Sequence, residues 1–375
     1  MLFVWSATYL SIDTMVRGST VTGCLSYSEL VNALLGKRFC ESLQLSIVLN
    51  NMGILIIYLI IMGDTLVGLG DDTGLMQLFG APEDSLLCSR KFMLAVTAAV
   101  VLLPLCMIRR LQMLGWASGV AMLLAFNFIL TTLVLVVRAI IAGEAHMPRW
   151  LPEEDTSWRE EFGTLSVFAT AYVCHYNVHP IMREIRHSSA TARGMTRTMQ
   201  LIVGSSLAVC SGIYILVGLG AYILFGEQTI EDVLVNFGSS DARMSRAVVV
   251  IVKGGYTLSL CFTYPLLFHP LRQSTYELIS GTGGVIIPAR WHYLITPVMI
   301  ATLYVLAISV PDVYLAFQIL GSSVSMYQGY IVPGILTLVA AKQGTPIGSR
   351  FLGYTLLILG VVAAVMGTAV ALSHI

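Results

Sequence analysis

An all-α, multi-pass membrane protein is the fold class this sequence predicts, on three observations. Hydrophobic residues make up 56% of the 375 and charged residues 11%, where globular domains carry about 25% charged. Ten segments are apolar over roughly the 20 residues a helix needs to cross a bilayer. The connections between those segments alternate in charge, as the two faces of a membrane require. One of the ten segments breaks, and the functional reading starts from that break.

In chain order the predicted spans are 1–16, 43–68, 92–108, 115–137, 162–183, 199–225, 246–269, 292–310, 313–340 and 352–373. Met1 lies inside the first, without the basic leader and small-residue cleavage site of a signal peptide. Between the first two, SYSELVNALLGK has apolar residues at 27, 30, 31, 34 and 35 before Gly36, which is one face of a short interfacial helix with a glycine stop. Span 43–68 carries Gln44, Asn50, Asn51, Tyr58 and Asp64 on a polar side, with Asp64 near its outer end. Span 92–108 is short and holds Pro104. Span 115–137 is the most uniformly apolar, and span 246–269 contains Lys253, which must reach water or a carboxylate.

Orientation follows from the short loops. One set holds Arg17, Lys37, Arg38, Arg109, Arg110, Arg183, Arg186, Arg193, Arg197, Arg272, Arg290, Lys342 and Arg350, against four acids. The alternate set holds Asp71, Asp72, Glu83, Asp84, Glu144, Glu153, Glu154, Asp155, Glu160, Glu161, Glu227, Glu231, Asp232, Asp241 and Asp312. The basic set is therefore cytosolic, and both Met1 and His374 fall outside. One further span upstream would return the N-terminus to the cytosol. Counted that way, 1–137 is an incomplete first repeat, 162–340 is a second repeat opened by the broken helix, and 352–373 is an added last helix. Ten spans are then present of an expected eleven, in the 5+5 inverted-repeat plan of secondary transporters.

The break is FGTLSVFATAYVCHYNVHPIMRE, residues 162–184. An apolar helix gives way to Cys174, His175, Tyr176, Asn177 and His179, and Pro180 closes the run. In lipid, loose polar groups survive only inside protein or against a cavity; a proline kink with its polar groups satisfied between helices is the competing reading. His175 and His179 are four apart, yet the Glu of a His-Glu-x-x-His zinc site is absent and no third ligand is evident. In CFTYPLL, 261–267, a threonine stands beside the carbonyl that Pro265 deprives of its donor, with Ser259 one turn before. That is a place for a small hard cation such as sodium; back-bonding of Thr263 to its own helix is the alternative. Gly321, Ser322, Ser323 and Ser325 permit close helix packing or contact with a substrate. The seven cysteines show no paired spacing. No Ser-His-Asp, His-Glu-x-x-His, phosphate-loop or paired-carboxylate arrangement points to an enzyme, and nothing points to nucleic acid.

At YSELVNALLGK with GILIIYLIIMGDTL, at FATAYVCHYNVHPIMREI and at FTYPLLFHPLR the chain resembles the amino acid/auxin permease family. The likeness lies toward the sodium-coupled neutral amino acid transporters and their vacuolar relatives, and covers nearly the whole chain. It departs from the pattern at His269, where an apolar residue is usual, and in lacking the first helix with its glycine-rich break. The resemblance implies eleven spans, an amino acid held at the unwound stretch Cys174–His179 of the sixth, and a sodium ion aided by Thr263. The function expected is secondary active transport of amino acids, neutral ones foremost, coupled to sodium or protons by alternating access. Cys174, His175, Tyr176, Asn177, Ser322 and Ser325 are the expected substrate residues and Thr263 and Ser259 the ion residues. Asp64, Pro180 and Pro265 are expected to serve structure or gating. No cofactor is expected beyond a possible sodium ion. The plasma membrane and a vacuolar or lysosomal membrane both suit such a protein, and a non-transporting amino acid sensor or truncated regulatory isoform is the alternative function.

Overall fold

A computed structural model describes residues 1–68, 73–82, 84–109, 115–149, 158–186, 192–230, 232–237, 245–280, 287–310, 313–345 and 347–373. Of the charges used for orientation, Asp71, Asp72, Glu83, Arg110, Glu153, Glu154, Asp155, Glu231, Asp241 and Asp312 lie outside the described residues. So do His374 and the side chains of Glu160 and Arg193. All regular structure among the described residues is helical. The long helices are α1 (Leu2–Thr22), α2 (Tyr27–Leu35), α3 (Lys37–Val67), α4 (Arg90–Met107), α5 (Gly115–Ala142), α6 (Trp158–Tyr172) and α7 (His175–Arg186). They continue with α8 (Ala192–Phe225), α9 (Arg246–Ser280), α10 (Ala289–Ser309), α11 (Val313–Lys342) and α12 (Arg350–Ser373). Eight of these, α3 to α5 and α8 to α12, are long and apolar enough to cross a membrane. The other two expected spans are α1, which carries Asp13 and Arg17, and the pair α6–α7, whose arms of 15 and 12 residues are each too short to cross alone. The chain is thus an integral, multi-pass membrane protein.

Two compact units form. The first takes 1–50, 153–212 and 317–375; the second takes 51–152 and 213–316. Each draws on both 1–137 and 162–340.

In the first unit α2 forms as its sequence expects. Ser26 accepts from the Glu29 amide at 3.1 Å while Glu29 reaches back to the Leu25 amide at 2.8 Å, so two of the start's unpaired donors are satisfied. Gly36 ends the helix at φ +87°, a conformation costly for any residue with a Cβ. Tyr27, Leu30 and Val31 bury against Met15, Leu43, Val332 and Leu336. The packing of α11 on α12 rests on small residues. Gly353, Gly360 and Gly367 recur every seven residues on α12, and a Cβ on each would come within 2.8 Å of an α11 side chain or of Ser166 on α6. Close backbone approach replaces hydrophobic drive as the source of association, since lipid is as apolar as leucine.

In the second unit the polar residues of neighbouring spans meet. Thr65 pairs with Thr257 at 2.7 Å, and the Ser259 hydroxyl donates to the Ala121 carbonyl at 2.9 Å. Phe128, Phe225, Phe237 and Tyr256 pack edge to face, the arrangement that ring quadrupoles favour. Three spans contain π-helical turns, at Thr97–Leu102, Val250–Gly254 and, in α11 of the first unit, Gly321–Ser325 with Tyr327–Ile331. Two of these spans hold a proline just beyond, Pro104 and Pro333, and such bulges recur at functional sites.

Candidate functional site

The broken helix does interrupt, but over a shorter stretch than its sequence suggests. Val173 and Cys174 alone leave the helix, and α7 resumes at His175. The polar run expected to be unwound as far as His179 is therefore helical from His175 onward. Pro180 sits inside α7, six residues beyond the break, so it is not what opens the chain there. The reason lies in the partners: His175 and His179 are both buried, and each finds a hydroxyl on α1 while keeping its backbone helical.

Those two contacts fix the site's geometry. Ser11 donates its hydrogen to the Gly329 carbonyl and so accepts from His175 Nε2 at 3.0 Å; the imidazole is left with Nδ1 as a bare acceptor, for which the described residues offer no donor. Ser19 meets His179 Nε2 at 2.7 Å, and the Tyr27 ring stacks on His179 with centroids 6.0 Å apart. Ser11 and Ser19 are eight residues apart on α1, about 12 Å of helix, so the two imidazoles diverge. No group of three or more His, Cys, Asp or Glu side chains able to hold a metal occurs among the described residues.

The π-helical part of α11 runs beside the break. A Cβ on Gly321 would stand 1.9 Å from the Ser166 carbonyl, and one on Gly329 would meet Val173 at 3.1 Å and His175 at 3.4 Å. Tyr330 faces the His175 ring at 6.4 Å and shares a hydrogen bond of 2.7 Å with Thr8. Gly329 and Tyr330 are thus the α11 residues at the break. Ser322 lies about two turns earlier, back-bonded to the Ile319 carbonyl at 3.3 Å, and Ser325 makes a long contact of 3.4 Å to Asn50. Of the expected substrate residues, Cys174 is half-buried at the break, His175 fully buried, Tyr176 half-buried and Asn177 exposed. Sequence reasoning missed Gln318 and Gln328, both buried in this unit with both amide atoms unpartnered among the described residues. The signal was present, since a glutamine inside an apolar span is costly unless used.

In the second unit, Thr263 donates to the Ser259 carbonyl at 2.9 Å, the back-bond that the sequence left open. Its oxygen keeps lone pairs, and Pro265 removes the amide that would have paired with the Cys261 carbonyl. Ser259 is committed to Ala121, which makes it a tie between helices. Asp64 is buried and paired with Arg90 across 2.9 Å. Lys253, fully buried, donates to the Thr73 carbonyl at 3.1 Å, and its charge acts on Asp232.

Residues 1–373 match the family described as "Transmembrane amino acid transporter protein". The chain belongs to that family. Among its relatives, amino acid transporter AVT6E of Arabidopsis thaliana is 28% identical over 96% of this chain and 73% of its own length. Amino acid transporter AVT6B of the same plant is 31% identical over 88% of this chain and 72% of its own. Sodium-coupled neutral amino acid transporter 7 of Danio rerio is 24% identical over 86% and 67%. These relatives are named as transporters, not as enzymes.

Proposed function

We propose that this chain moves amino acids, neutral ones foremost, across its membrane by alternating access, driven by sodium or protons. The observation that carries the reading is the two-residue break at Val173–Cys174, clasped by Ser11 of α1 and Gly329 of α11. A helix interrupted inside a membrane protein exposes amide hydrogens at one end and carbonyls at the other, which suit the carboxylate and ammonium of an amino acid. Cys174, His175 and Tyr176 stand at the resumed start of α7, where the dipole is positive; Asn177, Ser322 and Ser325 are the further candidates for substrate contact. The threonine oxygen and the carbonyl of Cys261 support sodium as the driving ion, and the Nδ1 atoms of His175 and His179, which have no partner among the described residues, support protons. Relatives named for vacuoles and for sodium coupling make a vacuolar, lysosomal or plasma membrane the place to look.

The test is uptake of radiolabelled neutral amino acids by proteoliposomes holding the chain, with an imposed sodium or pH gradient. Thr263→Ala abolishes a sodium-driven component, and His175→Ala abolishes a proton-driven one. No uptake under either gradient, combined with saturable amino acid binding, would instead establish the sensor reading.

A further inference from the structure

The end of the second unit that charge bias places in the cytosol carries cations with almost nothing to neutralise them. Arg272 on α9 is 2% exposed. Its Nη1 donates to the Cys106 carbonyl at 2.8 Å and to the Thr296 hydroxyl at 3.0 Å, and its guanidinium lies 5.6 Å from the Phe268 ring centre. Among the described residues Nε has no acceptor and no carboxylate pairs with the group. His292 on α10 donates from Nε2 to the Met107 carbonyl at 3.1 Å. Arg272 and His292 therefore both cap the last turn of α4, whose terminus carries only about half a negative charge. Exposed Arg109 follows that turn by two residues, and exposed Arg290 precedes His292 by two.

The sequence offers no compensation. Residues 90–143 contain no Asp or Glu, and residues 242–310 contain Glu277 alone, which Gln273 already engages at 2.8 Å. The start of α10 adds to the positive field: among the described residues it has no side-chain cap, its first turn holds no acid, and the helix dipole is positive at that end.

We propose that Arg109, Arg272, Arg290 and the first turn of α10 form a binding site for a phosphate group, borne by an anionic lipid of the inner leaflet or free in the cytosol. Arginine forks and helix-start amides are the groups that phosphate recognition uses, and the inner leaflet supplies such anions at this depth. Arg272 supplies a fixed charge beneath the surface, and Arg109, just past the end of α4, and Arg290, in the first turn of α10, meet the phosphate from above it. The site is separate from the break in the first unit and does not depend on the transport reading.

The experiment uses the full chain in phosphatidylcholine nanodiscs, titrated in one arm with phosphatidic acid and in the other with inorganic phosphate. Thermal unfolding and native mass spectrometry are the readouts. Phosphatidic acid is expected to raise the unfolding midpoint and to stay bound, and inorganic phosphate doing so in neutral lipid identifies a soluble source. Arg109→Gln with Arg290→Gln, both exposed and safe for folding, weakens the response about a hundredfold, the size of two lost charge-assisted contacts. Lys342→Gln with Arg350→Gln, which removes as much charge from loops of the first unit, leaves it unchanged. A flat response in both arms, or equal losses in the two double variants, overturns the site.

Discussion

Asp232 shows what a single half-buried charge does in this molecule. It caps the one-turn helix Val233–Asn236 by accepting from the Leu234 amide at 3.1 Å. Burial pushes its carboxyl above the ordinary value, outweighing the Leu234 hydrogen bond and the Lys253 charge, which both pull it down. A carboxyl with a raised folded pKa binds more protons in the native state than in the unfolded one. Stability therefore falls as pH rises from about 4 through the raised value, and the loss is complete above it. Asp232→Asn keeps the cap and removes the titration. The variant's unfolding midpoint is expected to exceed the parent's at pH 7 and to converge with it near pH 4, measured in detergent over that range. Asp64 is the contrasting case. Its place in an apolar span was plain in the sequence, but its partner Arg90 was not, because a pairing across 26 residues leaves no local trace. Lys253 was likewise legible as a charge needing relief, whereas the Thr73 carbonyl that relieves it was not.

At the level of helices, the glycines decide what can move. Gly321 lets α11 approach the α6 backbone so closely that a single methyl would collide with the Ser166 carbonyl. Gly321→Ala is expected to cost about 1–3 kcal/mol by overpacking, read from chemical denaturation in mixed micelles. Gly212, inside α8 with nothing within 4 Å of its would-be Cβ, gives the opposite sign: Gly212→Ala gains about 0.5–1 kcal/mol from helix propensity. The ten expected spans map onto the helices, most with ends shifted by a few residues, because hydropathy over twenty residues is a strong signal; α9 runs on to Ser280, well past the expected end at 269. The break was legible in kind but misplaced in extent. Polarity and a proline mark Cys174–Pro180 in the sequence. Hydroxyls on α1, 164 and 160 residues away along the chain, keep His175 and His179 helical, and no local pattern reports them.

The two units are the largest scale, and neither is a continuous piece of chain. The first unit needs α12 to cover Gly334 of α11 and Ser166 of α6. A chain stopped after Gln343 is expected to lose hydrogen-exchange protection in α1, α6 and α7 while α4, α5 and α9 keep theirs. Membership of the amino acid transporter family was legible from three motifs spread along the sequence. The division into units was not, since it depends on which distant helices touch.

That division also has a consequence for biosynthesis. The ribosome delivers residues 1–50 well before 317–375, so the helices of 1–50 wait in the bilayer for partners that come more than 260 residues later in translation. During that wait Ser11, His175 and Asn50 lack the α11 groups that they meet in the folded unit, and such exposed polar groups invite an insertase or intramembrane chaperone to shield them until α11 arrives.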